Sequence, residues 1–259
     1  MLFSPLFSGS SGNCSFLEAG KARVLVDAGL AGKQIEAALR AINVEPGTLS
    51  AILVTHEHID HVRAVGVLSR RYKVPVYANA ACFTQMERSI GELLPSCCRI
   101  FETGCDFYIG ELNVTPFKIS HDAVEPVGYT FSHKGRSVGL LTDTGRMYEH
   151  LYDAVSGLDL LLLEANHDID MLNSGPYPEA LKKRILSSKG HLSNEAAGKT
   201  LLRLYERGLR HAVLGHLSAQ NNDETLAMST VEEILKSEGA SMRLALAHRD
   251  RPCAVFHLE

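Results

Sequence analysis

Tryptophan is absent from the 259-residue sequence, and no basic stretch is interleaved with aromatics, so there is no conspicuous platform on which bases could stack. A nucleic-acid strand would have to be held through its phosphates, its shape or a few Tyr and Phe side chains. Positive charge is not in excess either: 26 Lys and Arg stand against 30 Asp and Glu, a net charge of −4. That excludes a uniformly basic coat for nucleic acid, while leaving room for a local patch or for bound cations. No stretch approaches the roughly 18 consecutive apolar residues of a membrane-spanning helix. The opening MLFSPLFSGSSG lacks the basic segment and long apolar run of a secretion signal, so a soluble, cytoplasmic protein without membrane association is expected. The cysteines Cys14, Cys82, Cys97, Cys98, Cys105 and Cys253 show neither paired CxxC spacing nor the density of a disulfide scaffold, and they read as reduced, mostly buried thiols. Linkers, low-complexity tracts and internal repeats are missing as well. With 45% hydrophobic residues the chain can bury a large core, and a single domain over residues 1–259 is expected.

What is present is an alternation of short apolar strands and helices. Residues 2–8, 13–19 and 22–27 read as three antiparallel strands, with GSSGN at 9–13 as the turn between the first two. The glycines and serines of that turn, Ser10 and Ser11 with Asn13 beside them, also offer N–H groups and hydroxyls to a phosphate. Helices over 31–43 and 60–73 alternate with strands at 51–54 and 74–78, the βαβα pattern of layered α/β proteins. After a helix at 79–94 and short irregular strands at 95–110, strands are expected at 112–119, 126–133, 136–142, 158–163, 210–215, 242–247 and 253–258, the last two closing a second sheet. Helices at 147–155, 178–188, 193–207 and 223–238 complete the reading.

The stretch AILVTHEHIDH at 51–61 stands apart. Four apolar residues form a short buried strand, and the strand ends in His56, His58, Asp60 and His61. Residues two apart on a helix face different sides, so His56 and His58 converge on one ion only from an extended or looped backbone. A helix starting near Asp60 would aim Asp60 and His61 at a neighbouring position, so two adjacent metal positions are suggested. The same strand-to-polar-loop arrangement recurs at His121, at Asp143, at the cluster Glu164–His167 and at His216. An aspartate at 143 can bridge two ions where oxygen-loving metals are bound. Lys182, Lys183 and Arg184 on the 178–188 helix, with Lys189, offer charge that could follow a phosphate backbone, although a solvated helix face explains most of these charges.

HxHxDH after an apolar strand resembles the signature of the metallo-β-lactamase superfamily, and the order of the later elements resembles it across the whole chain. The resemblance implies a four-layer αββα sandwich with the metal site at strand ends. It implies two divalent ions, Zn or Mn, with His56, His58 and His121 on one, Asp60, His61 and His216 on the other, and Asp143 shared. Asp27 would orient the ligands from beneath the loop, and Glu164 and His167 would support them from behind. GSSGN, EANHD, GHLSN and HLSAQNN together resemble the bacterial YycJ/WalJ group of nuclease-type members. This implies a 5′-to-3′ exonuclease on duplex DNA with a free end, connected with DNA repair, that works by attack of a metal-bound hydroxide. His191 matches a histidine that nuclease relatives place beside the scissile phosphate, and Asp60 would act on the water's proton; both are expected to be catalytic. Ser193 and Asn194 are further phosphate contacts in this reading. Two rivals keep the same residues: a small-molecule hydrolase of thioesters, lactones or cyclic phosphodiesters, and a non-enzymatic metal-dependent regulator.

Overall fold

The computed structural model describes residues 1–259, and the chain forms two compact units. One comprises 1–118, 123–136 and 248–259, the other 119–122 and 137–247.

In the first unit β1 (Leu2–Phe7), β2 (Cys14–Ala19) and β3 (Ala22–Val26) are antiparallel neighbours. Their side chains are buried almost without interruption, which requires both faces of the sheet to be covered, since an exposed face would show alternation. The turn at 9–12 closes with Gly12 N–H donating to the Gly9 carbonyl at 2.9 Å. α1 (Gly32–Ala41) then leads to β4 (Ala51–Leu53), parallel to β3. α2 (Ile59–Val62) and α3 (Val65–Tyr72) precede β5 (Val76–Ala78), and α4 (Ala80–Ile90) precedes β6 (Cys98–Ile100), so β3 to β6 run parallel. Leu25, Ile35, Leu39, Ile52, Val65 and Leu68 fill the layer between this sheet and its helices. An antiparallel meander of β7 (Phe107–Ile109), β8 (Leu112–Lys118) and β9 (Val127–His133) completes the unit's main elements.

The second unit is built on parallel strands. β10 (Arg136–Leu141), β11 (Leu160–Glu164), β12 (His211–Gly215) and β13 (Arg243–Leu246) pair in that order, with α5 (Glu149–Ala154), α6 (Ile169–Ser174), α7 (Glu179–Ile185), α8 (Asn194–Glu206) and α9 (Glu224–Ser237) in the connections. LLLL of β11 is buried throughout, as a parallel strand covered on both faces demands. The C-terminal ends of β10, β11 and β12 carry Asp143, Glu164 and His216.

Three sequence expectations change. The helix expected over 60–73 is broken, because Ala64 leaves helical geometry and its N–H donates to the Ala28 carbonyl at 2.8 Å; α3 begins beyond it. α6, capped by the Asp168 side chain accepting Met171 N–H, is too short to show a period. The strand expected at 253–258 does not close the second sheet. It is β14 (Phe256–His257), paired antiparallel with β1 at Leu2 and Phe3, and Cys253 N–H already donates to Pro5.

Candidate metal centre

β4 ends at Leu53, and the chain leaves the sheet through Thr55. Asp27, just past β3, takes a left-handed backbone conformation (φ 61°) that points its carboxylate at the new loop. Oδ1 accepts the Thr55 N–H at 2.8 Å, and Oδ2 accepts both the Thr55 hydroxyl and His61 Nδ1–H, each at 2.8 Å. The Thr55 proton is thereby committed, so Thr55 Oγ1 accepts from His56 Nδ1 at 3.0 Å. Both imidazoles are fixed with their N–H backwards and their Nε2 lone pairs forwards, the arrangement that carboxylate-backed metal ligands use. His58 is extended (φ −62°, ψ 145°), which brings its Nδ1 to 3.1 Å from His56 Nε2. α2 starts directly after His58 and carries Asp60 in its first turn, with Asp60 Oδ2 3.6 Å from His61 Nε2.

The loop is clamped from below. Asn13 N–H donates to the Asp60 carbonyl at 2.8 Å, Gly29 N–H to the Asn13 carbonyl at 2.8 Å, and Ala28 N–H to the His61 carbonyl at 2.7 Å. A Cβ on Gly29 would stand 1.6 Å from the Asp60 carbonyl oxygen, so only glycine allows this approach.

In the second unit Glu164 is fully buried and completely satisfied. Its Oε1 accepts from His191 Nδ1 and His216 Nδ1, each at 2.7 Å, and its Oε2 from the Thr144 and Leu192 N–H groups at 3.1 and 3.2 Å. Asp143 and His216 both have positive φ, 59° and 55°. Asp143 Oδ1 lies 3.4 Å from His216 Nε2 and 3.9 Å from both His121 Nε2 and His191 Nδ1. His121 Nδ1 donates to the Gly190 carbonyl at 3.3 Å. Ligand atoms of Asp143, Glu164, His191 and His216 all lie within 4.8 Å of one another.

Electrostatics separates the histidines. Burial opposes protonation of His191, yet the charge and hydrogen bond of Glu164, with Asp143 and Asp122 beyond, outweigh it and lift its pKa to about 9. Burial would raise Glu164, but the charge of His191 and the hydrogen bonds from both imidazoles bring it down to about 2. For His121 burial outweighs the attraction of Asp143 and lowers the pKa. His167, 1% exposed, drops to about 4 because burial outweighs Glu164, and neither ring nitrogen has a hydrogen-bond partner.

Residues 22–217 match the β-lactamase superfamily domain. The chain belongs to the metallo-β-lactamase superfamily. Among superfamily relatives it is 44% identical to the exodeoxyribonuclease WalJ of Streptococcus pneumoniae, over 91% of this chain and 89% of that protein. It is 40% identical to the exodeoxyribonuclease YycJ of Bacillus anthracis, over 92% and 90%. In fold it resembles the zinc-bound PqqB of Methylobacterium extorquens, at a TM-score of 0.74 and 17% identity over the whole of both chains. The α/β sandwich expected from the sequence is therefore the fold of this superfamily.

The expected substrate contacts differ in their exposure and in the bonds they make. Ser10 and Ser11 are exposed on the 9–12 turn. Asn13 is buried, with its Oδ1 accepting Gly9 N–H at 3.0 Å and its Nδ2 3.1 Å from His61 Nε2. Ser193 caps α8 by accepting Ala196 N–H, and Asn194, 1% exposed, spends its amide on Asn222. Lys182 is buried with Nζ on the Asn173 carbonyl at 2.6 Å, and Arg184 pairs with Asp122. Lys183 and Lys189 are exposed. Sequence reasoning missed Thr55, whose only signal was its place directly before the ligand loop. It also gave no role to Asn166 and Asn222, although they lie in the EANHD and HLSAQNN stretches that carry the resemblance.

Proposed function

We propose that the protein is a two-metal exodeoxyribonuclease that degrades duplex DNA from 5′ ends. It is a hydrolase by family, and the observation that carries the finer reading is the 44% identity to WalJ along nearly the full length of both chains. The donor atoms suit divalent cations: imidazoles whose rear nitrogens are tied to Asp27, Thr55, Glu164 or a carbonyl, together with carboxylates. In this reading His56, His58 and His121 hold one ion, Asp60, His61 and His216 the other, and Asp143 is shared. The histidines suit Zn, and the aspartates also accept Mn. Bound there, the ions would lower the pKa of a water and neutralise charge on the phosphate.

The chain's own residues supply the rest. His191 gives Nδ1–H to Glu164, so on the cation Nε2–H is the donor left for substrate; the side chain is 21% exposed. The charge and hydrogen bond of Glu164, with Asp143 and Asp122 beyond, outweigh burial and favour its protonated form. It gives that proton to the ester oxygen as the P–O bond breaks, and the proton lost by the attacking water restores it. Glu164 holds the ring in place and does not itself meet the phosphate. Exposed Lys183 and Lys189 are the cations available to the DNA backbone. No helix is long and apolar enough to cross a membrane, and six free thiols support a reducing, cytoplasmic setting.

The test is degradation of end-labelled duplex DNA with Mn or Zn added, beside Asp60→Ala and His61→Ala. Progressive loss from 5′ ends that both variants abolish is the expected result. Intact DNA at full metal occupancy overturns it in favour of a small-molecule hydrolase.

A further inference from the structure

Behind the ligand ends of the second unit lies a polar cluster that neither the ligand set nor the proton transfer uses. Glu164, His191 and His216 each open a different chain segment: the loop after β11, the approach to α8 and the loop after β12. The side chain of Asn222 joins all three. Its Nδ2 donates to the Ala165 and Asn166 carbonyls at 2.9 and 3.0 Å, immediately beyond Glu164. One of its two hydrogens is shared between those two carbonyls and the other goes to Asn194 Oδ1 at 2.8 Å, while Asn194 Nδ2 donates back to Asn222 Oδ1 at 2.9 Å, a reciprocal amide pair three residues beyond His191. Asn166 closes the ring by donating its Nδ2 to the His216 carbonyl at 2.9 Å.

These contacts are buried, with Asn166, Asn194 and Asn222 exposed by 4%, 1% and 8%. Buried amides are costly unless satisfied, so such a network holds one arrangement and penalises the rest. The arrangement it holds is demanding. A non-glycine residue at φ 55°, as His216 is, is strained and persists only where its surroundings over-determine it. Two imidazoles must also reach one carboxylate oxygen at 2.7 Å each, which a relative shift of about 1 Å between the loops would break.

We propose that Asn222, with Asn194 and Asn166, is a positioning clasp that fixes His191 and His216 against the single Oε1 oxygen of Glu164. The clasp sets which imidazole nitrogen faces forwards without touching substrate. The inference rests on the reading of Glu164, His191 and His216 as site residues. A wild-type protein that leaves duplex DNA intact removes the nuclease reading and leaves the imidazole measurement below unaffected.

The experiment compares wild type with Asn222→Asp, which keeps the shape and the acceptor but loses the donors. Imidazole 15N–1H spectra of the metal-free proteins and Mn2+ titrations of each are recorded. The expected result is loss of the Nδ1–H pattern of His191 and His216, and Mn2+ affinity lower by about tenfold or more, as for other lost supports of metal ligands. Wild-type spectra and affinity, with only a lowered melting temperature, mean an ordinary structural pair and overturn the clasp. Should Asn222→Asp fail to fold, Asn194→Asp gives the same readout. It removes only the Asn194 donor and puts a carboxylate where a helix N-terminus favours one.

Discussion

Glu164 has no solvent contact and yet keeps its charge, because four donors share its two oxygens. The His191 cation belongs to the same arrangement. His191 has its folded pKa raised from 6.5 to about 9, so its contribution to stability is complete below about 6.5 and is lost as pH rises through about 9. Glu164 has the opposite sign: its contribution is present above about 4.5 and is lost as pH falls through about 2. Glu164→Gln removes the charge that sustains the imidazolium. In the metal-free variant His191 should titrate at least two units lower than in wild type when followed by imidazole NMR, and the stability difference between the two proteins should shrink above pH 9. A titration left near 9 would assign the shift to Asp143 and Asp122.

Among the elements, α2 shows how little local pattern is needed when long-range bonds are firm. It has four residues, no side-chain cap and a broken continuation, yet it presents Asp60 and His61 because its carbonyls are gripped by Asn13 and Ala28. Gly29 makes that grip possible. Gly29→Ala must push the Asp60 carbonyl away from a position 1.6 Å from the new Cβ, and it should cost at least about 2 kcal/mol in urea unfolding, the scale of overpacked interiors. Gly47→Ala is the control, since its Cβ meets only Tyr72 at an ordinary 3.7 Å. Equal stabilities for the two variants would contradict the clamp. Elsewhere charge is spent on holding elements together: Arg203 and Arg207 lie over Tyr152 and pair with Glu149, which joins α8 to α5 and takes two cations away from any DNA-facing role.

At the scale of the molecule, buried histidines and carboxylates gathered at strand ends favour a metal-loaded native state over an unfolded chain that binds metal weakly. Chelation should therefore lower the melting temperature and added Mn or Zn should restore it. At a free ion concentration about 1,000 times Kd the stabilisation is about 4 kcal/mol, roughly 10 °C for a chain of this size. A melting curve indifferent to chelator would argue against ions held by these residues. The net charge of −4 gives no general attraction for a polyanion, so the nuclease proposed above would draw its affinity for DNA from bound ions and a few exposed lysines.

The sequence alone set His56, His58, Asp60, His61, His121, Asp143 and His216 at the ends of apolar runs, and the superfamily resemblance singled them out from the other strand-end residues as the expected ligands. The sequence also placed nearly every strand and long helix, since strands covered on both faces are continuous apolar runs and helices packed on a sheet carry an apolar face of helical period. Tertiary structure alone decided which imidazole nitrogen faces forwards, that Asn194 is spent on Asn222, that 60–73 breaks at Ala64 and that β14 joins β1. These depend on bonds between residues far apart in the chain, such as Asp27 to Thr55 and Asn222 to Ala165. An amide or a carboxylate in a loop carries no local mark of the partner that packing will give it.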